Sequence, residues 1–210
     1  MLVGHFAVAF VGKLIEPKPS LGTLVLAAML PDILWPIFTI ARIEYVAKPG
    51  VAQNSFIDAP FSHSLLMVSI WGVLFAGGYF LRRHYRRGAG ILFVAVLSHW
   101  LLDTLSHRHV LAPGMHDQFG LGLWNSLPAT LIVEGGFWLL AIILYVRFTR
   151  PERRAGTYAF WPIVAFLTFV WITNIKSGPP PPSAVFGSLV FFLVLVAWAY
   201  WLNRVRAVRP

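Results

Sequence analysis

The sequence predicts an all-α fold, a polytopic membrane helix bundle with about seven transmembrane helices. Hydrophobic residues make up 58% of the 210 residues and charged residues only 12%, about half the ~25% that is usual in soluble domains. The mean hydropathy is +0.70, and the long apolar runs approach the ~20 residues that cross a bilayer. A soluble domain of this size could not bury so many apolar runs. We therefore predict a single membrane-embedded domain spanning residues 1–210.

Seven segments have the length or composition of membrane helices. The first is too short to cross a bilayer upright and is expected to be a half-span or an interfacial helix. No basic residue precedes the apolar residues 2–11, unlike a cleaved signal peptide, so we expect this stretch to remain in the mature protein. Pro31 and Pro36 are expected to interrupt the second segment. The predicted segments are residues 2–15, 21–41, 61–81, 90–107, 128–146, 158–175 and 184–203.

The basic residues predict the orientation. If the loops around residues 13–18, 82–87 and 147–154 lie on the side of the C-terminus, that side carries 13 of the 17 Lys and Arg residues. The positive-inside rule then places the N-terminus outside and the C-terminus inside. We expect a multi-pass protein of the cell inner (cytoplasmic) membrane with the lipid bilayer as its partner. Because the basic residues lie in short loops, the net charge of +9 does not indicate nucleic-acid binding.

Ionisable side chains recur inside the apolar segments. A charged group deep in a bilayer costs roughly 2.5–3.5 kcal/mol on insertion scales, so such groups usually face one another, water or a cation. With no cysteine in the chain, any metal ion would be bound by His, Asp or Glu. Under the predicted topology most of these residues lie at a similar, extracytoplasmic level. They are His5, Asp32, His63, His99, Asp103, His107 and Glu134.

The spacing in the fourth segment favours a metal site. His99, Asp103 and His107 follow one another at intervals of four residues, which turns the helix by only ~40° per step and places all three on one face. We predict His5, Asp32, His63, His99 and Asp103 as metal ligands, with His107 and Glu134 as additional candidates. Zinc is the first choice, as one or two ions, and manganese or iron stays open. The alternatives are packing histidines, Asp32 as a helix cap, and an Asp103–His99 pair without metal.

These residues resemble a known family. His5, Pro31-Asp32, Ser62-His63-Ser64 and His99 with Asp103 follow a pattern that is similar to the YdjM-like family, described as LexA-binding, inner-membrane-associated, metal-dependent hydrolases. The resemblance is carried by residues 1–110, whereas residues 111–210 match only as additional transmembrane helices. A distant likeness to zinc-dependent phospholipase C and P1 nuclease implies phosphoester hydrolysis.

Two positions depart from the family pattern. Leu34 stands where many relatives have a second Asp, and Asp58 stands where many have a His. Asp58 could replace that ligand, or a second metal position could be lost, so the number of ions and the activity itself stay open.

The expected function is a membrane-bound hydrolase of a phosphoester or lipid-like substrate that uses a metal-activated water, with Asp32 and Asp103 as catalytic carboxylates. Arg108, His109 and His116 are candidates for substrate binding in the outer loop, which could equally be an ordinary solvated loop. Two other functions compete. Intramembrane His and Asp residues also mark metal-ion or proton transporters, and a non-catalytic membrane scaffold with a structural metal site is the third reading.

Overall fold

The computed structural model describes residues 1–45, 59–175 and 181–209. These residues are mostly helical, with two short antiparallel strand pairs and two 3-10 turns. The helices are α1 (Leu2–Ile15), α2 (Leu21–Ala28), α3 (Leu30–Ile40), α4 (Pro60–His63), α5 (Leu65–Arg83), α6 (Arg86–Ser106), α7 (Leu127–Phe148), α8 (Arg154–Asn174) and α9 (Val185–Val205). The strands are β1 (His109–Val110), β2 (Gln118–Phe119), β3 (Thr149–Pro151) and β4 (Arg206–Val208), and the 3-10 turns are Leu123–Asn125 and Pro182–Ala184.

Helix length and composition support five or six membrane spans. Among the described residues, the five helices α5 to α9 are each long and apolar enough to cross a bilayer, and the bent pair α2 and α3 qualifies as a sixth span if counted as one. Helix α1 has 14 residues, about 21 Å at 1.5 Å per residue against ~30 Å of hydrocarbon. Each predicted apolar segment is helical, whereas the count of seven spans stays a prediction.

The second apolar segment bends where Pro31 was expected to interrupt it. Helices α2 and α3 meet at Met29 with a bend of 57°. Pro31 then lies in the first turn of α3, where its missing N–H would have no partner anyway. The expected interruption at Pro36 is wrong, because this residue lies inside α3 and does not end it.

Two predicted helix boundaries near the candidate site are also corrected. His63 does not open the third long helix: it ends the short helix α4, and the extended residue Ser64 then caps α5. The Ser64 side chain satisfies a free N–H of the new helix, which explains why a helix restarts there. His107 was predicted to continue the fourth helix, but α6 ends at Ser106 and His107 is extended.

Helix α1 lies at the centre of the bundle and packs against α2, α6, α7 and α8. Its Phe6 and Phe10 are among the largest fully buried side chains, and the Phe10 ring stacks on Tyr145 of α7. The outer helices α5, α7, α8 and α9 instead expose many large apolar side chains, as lipid-facing surfaces do. The shortest apolar helix is therefore protected by the longer ones.

The bundle has two chemically different ends. We call histidine end the one formed by the start of α1, the end of α6, the start of α7, and helices α3 and α4. We call arginine end the opposite one, formed by the end of α1, the α5–α6 turn and the β3–β4 pair. Strand β3 follows α7 and pairs with β4 after α9, which fixes the C-terminal residues against the rest of this end.

Candidate metal centre

The five predicted ligands converge at the histidine end. Two groups of three residues have ligand atoms that all lie within 4.8 Å of one another. The first is His5, His99 and Asp103, and the second is Asp32, His63 and His99. His99 belongs to both groups, so the five side chains from α1, α3, α4 and α6 form a single cluster.

The orientation of His99 follows from a backbone carbonyl. Helix α2 ends at Ala28 just before the bend, and the Ala28 carbonyl oxygen lies 2.8 Å from Nδ1 of His99. Because a carbonyl oxygen only accepts, Nδ1 carries a proton and donates it, so the neutral ring presents a lone pair on Nε2. This buried Nε2 has no hydrogen bond among the described residues, yet it lies 3.2 Å from an Asp103 oxygen and 3.7 Å from an Asp32 oxygen. The lone pair of Nε2 and those of the two carboxylate oxygens repel one another unless a cation or a second proton lies between them.

His63 is also held with its proton on Nδ1, here by a side-chain hydroxyl instead of a backbone carbonyl. The Ser62 hydroxyl donates to Oε2 of Glu44 at 2.7 Å, so its oxygen accepts from Nδ1 of His63, also at 2.7 Å. Nε2 of this ring lies 3.4 Å from Oδ1 of Asp32. Metal-binding histidines commonly donate their second N–H to a carbonyl or to another polar group in this manner.

Glu44 is a residue that sequence reasoning missed. It lies after α3, outside the apolar segments, and is only 1% exposed. Its Oε1 accepts the backbone N–H groups of Phe61 and Ser62 at the start of α4, at 2.7 and 2.8 Å. Burial raises the pKa of the Glu44 carboxyl, and the hydrogen bonds from Ser62 act against that rise. Its position in a polar loop gave no signal, because the contact with α4 joins residues 18 positions apart.

His5 and Asp103 complete the buried side of the cluster. Nε2 of His5 lies 3.1 Å from Oδ1 of Asp103, and the His5 ring stacks on His99 with 3.8 Å between ring centroids. The amino group of Met1 also lies 2.5 Å from the same Asp103 oxygen. A buried carboxylate needs positive charge beside it, and in this structure the Met1 amino group supplies it at Oδ1 of Asp103.

Access to the cluster is on the Asp32 side. The Asp32 side chain is 24% exposed, whereas the side chains of His5, His63, His99 and Asp103 are at most 4% exposed. An incoming molecule can therefore reach Asp32 first, and the other four side chains form the interior of the site.

The other residues predicted for the site lie in different environments. His109 is buried beside the cluster, 4.0 Å from an Asp103 oxygen, and burial lowers its pKa to about 3. His107 is also buried but packs edge-on against Trp124. Arg108 and His116 are exposed, and Asp58 lies outside the described residues.

Glu134 of α7 is fully buried. It lies close enough to Asp103, Trp124 and Trp171 to interact with them. The structure thus keeps Glu134 near the cluster without making it part of either group of three.

The donor set fits a borderline or hard divalent cation. Imidazole nitrogen and carboxylate oxygen without thiolate are the ligands of zinc, manganese and iron sites. The orphaned Nε2 of His99 between two carboxylates is the atom that such an ion would satisfy. Since Nε2 of His99 can bind only one ion, the geometry suits either a single ion or two ions of which one lacks His99.

Comparison with known proteins identifies a family. A family model described as YdjM inner membrane protein matches residues 1–205, so the likeness extends well beyond residues 1–110. No curated protein and no solved structure matches the chain.

Proposed function

The chain belongs to the YdjM inner membrane protein family, and from this premise and the site geometry we propose that it is a metal-dependent hydrolase embedded in the membrane. The proposed substrate is a phosphoester or a lipid-like molecule. The proposal includes seven membrane segments, an N-terminus outside and a C-terminus inside, which would turn the histidine end to the extracytoplasmic side.

The observation that carries the proposal is the convergence of lone pairs. Nε2 of His99 faces Asp103 and Asp32, and Nε2 of His63 faces Asp32. In a purely structural polar cluster we would expect donors to face acceptors. A cluster in which His99 donates outward to the Ala28 carbonyl and turns the lone pair of Nε2 toward two carboxylates is arranged to receive a cation.

Each side chain then has a defined role. His5, His63, His99 and Asp103 would hold a divalent ion, with Asp32 at the accessible edge. When bound, such an ion lowers the pKa of a water ligand toward ~7 and polarises a phosphoryl or carbonyl oxygen. Asp32 lies where a water proton and an incoming substrate can both be reached, so we assign it as the general base.

An apolar groove supports the lipid-like substrate. A cavity of about 250 Å³ lies between α1, α6 and α7 with an almost wholly apolar lining. Small residues such as Gly4, Ala7 and Gly12 form its side on α1. One end of the groove is at Gly4 and Leu102, the chain neighbours of His5 and Asp103. An acyl chain in this groove would bring a headgroup to the level of the cluster.

The competing functions make different demands on the molecule. An ion pathway needs polar groups at several depths, but the core of α1 between His5 and Lys13 is apolar, as Phe6 and Phe10 illustrate. A non-catalytic scaffold would have no use for Asp32 at an open edge of the cluster.

The test is metal analysis of the purified protein, followed by chelation in an assay with a panel of phosphodiester and lipid substrates. We expect stoichiometric divalent metal, and an activity that chelation removes and metal restores. Protein without stoichiometric metal, together with no chelator-sensitive activity in the panel, would replace the hydrolase proposal by the scaffold.

A further inference from the structure

A second, larger cavity lies at the arginine end, away from the candidate metal centre. Its volume is about 720 Å³, and its lining contains the cations Lys18, Arg82 and Arg83 together with hydroxyl groups of Ser20, Thr23 and Tyr79. Arg86 at the start of α6 is 13 residues from His99, about 20 Å along the helix. The two sites are therefore separate.

Helices α2 and α9 form one wall of this cavity and pack closely against each other. The Tyr200 ring of α9 packs directly over Gly22, where a Cβ atom would approach the ring to 2.3 Å. This contact brings the Tyr200 hydroxyl to 3.1 Å from Oγ1 of Thr23. The Leu21 N–H also donates to the Asn203 side chain at 2.9 Å, so the start of α2 is fixed to α9.

The opposite wall is the α5–α6 turn, which consists only of His84 and Tyr85. His84 ends α5 in the left-handed conformation, with φ 49°, so Arg82 and Arg83 lie immediately before a sharp reversal. Lys18 lies 4.3 Å above the Tyr85 ring. Glu16 accepts hydrogen bonds from the Tyr85 hydroxyl and from the backbone N–H of Lys18. Among the described residues, none of the three cations forms an ion pair with a carboxylate.

The chemistry of this cavity selects a phosphate group. Guanidinium and ammonium groups combined with hydroxyl donors recognise phosphate oxygens, and basic pockets between helices at a membrane surface bind anionic headgroups. The cavity lies where α1, α5 and α9 end and α2 and α6 begin, among tyrosines that are typical of the membrane interface. Its volume falls in the range of small-molecule sites.

We propose that this cavity binds the phosphate headgroup of an anionic phospholipid from the adjacent leaflet. The proposal does not depend on the metal centre. The headgroup would join the α1–α2 connection, α5 and α9 through Lys18, Arg82, Arg83 and Tyr200. Its acyl chains would lie along the apolar surface beside them.

The test is a titration of the purified protein with phosphatidylglycerol and with phosphatidylcholine, followed by native mass spectrometry. The variant Arg82→Gln/Arg83→Gln should weaken phosphatidylglycerol binding at least tenfold, since each cation that contacts the anionic headgroup contributes about fivefold. The matched control is Arg153→Gln/Arg154→Gln, which removes the same charge at the same end outside the cavity, and it should change binding less than twofold. The single variant Lys18→Gln should weaken phosphatidylglycerol binding about fivefold.

Three results would overturn the proposal. Equal losses of phosphatidylglycerol affinity in both double variants would mean that the lipid is held by general charge attraction to this end of the protein. No loss in Lys18→Gln and Arg82→Gln/Arg83→Gln would mean that the cavity is not the site. Inorganic phosphate that displaces the lipid at equal concentration would mean that the ligand is a soluble phosphate compound.

Discussion

The two ends of the bundle differ in the burial of their ionisable side chains. At the histidine end, ionisable groups are buried and face one another, as in the cluster around His99. At the arginine end, cations such as Arg82 and Arg83 are exposed and line an open cavity. A buried charge costs free energy unless a partner of opposite charge lies beside it. The histidine end is therefore suited to a tightly held ion, and the arginine end to a charged ligand that binds reversibly.

Sidedness is the broadest test of this comparison. The chain has no cysteine, so single-cysteine variants at the exposed positions His116 and Arg153 report on one end each. We expect a membrane-impermeant thiol reagent to label His116→Cys in intact spheroplasts, and Arg153→Cys only after permeabilisation, because the basic end should face the cytoplasm. The reverse labelling pattern would overturn the proposed orientation.

The largest effect of a side-chain change is expected for His99→Ala. Since His99 belongs to both groups of three ligands, its loss should remove the bound metal and the activity together. We expect a decrease in metal affinity greater than the ~10–100-fold that loss of a supporting group costs. The neighbouring change Ser98→Ala on the same helix should leave the metal content unaltered, and retention of metal by His99→Ala would contradict the proposed site.

Asp32→Asn should separate catalysis from binding. If the partly exposed Asp32 is the general base, the variant should keep most of its metal and lose ~10²–10⁴-fold in turnover. The measurement is metal content beside the chelator-sensitive activity, with the exposed Asp117→Asn as the control. Metal loss in parallel with activity would instead make Asp32 primarily a ligand.

Glu44→Gln should weaken the site indirectly. An amide in place of the carboxylate can donate to the Ser62 oxygen, and the Ser62 hydroxyl can then donate its proton to Nδ1 of His63, which moves the His63 proton to Nε2. We expect a loss of metal affinity of ~10–100-fold, measured by competition with a chelator. Glu152→Gln, at the exposed start of the β3–α8 connection, is the control, and an unchanged affinity in Glu44→Gln would remove the positioning role.

The smallest predicted effect concerns the arginine end. Gly22→Ala would place a methyl group against the Tyr200 ring, and such overpacking typically costs about 1–3 kcal/mol. Gly77→Ala in α5, where a Cβ atom meets nothing within 4 Å, should stabilise slightly because alanine favours helix by ~1 kcal/mol. Thermal unfolding in detergent compares the two, and equal melting temperatures would contradict the close packing of α2 on α9.

The sequence alone predicted the helices well because their cause is local. An apolar run of about 20 residues is helical in a bilayer whatever its neighbours are, and all seven predicted segments contain helix in the structure. The spacing of His99 and Asp103 likewise follows from helix periodicity. The convergence of His5, Asp32 and His63 with them was predicted from a shared level in the membrane and from the family pattern.

Only the tertiary structure decided the features that depend on distant contacts. The hydrogen bonds of Glu44 to α4 and the carbonyl of Ala28 that orients His99 join residues far apart in the chain. The cavity at the arginine end arises in the same way from α1, α2, α5 and α9. Periodicity describes one helix at a time, whereas the direction of a lone pair or the shape of a cavity is set by which helices pack together.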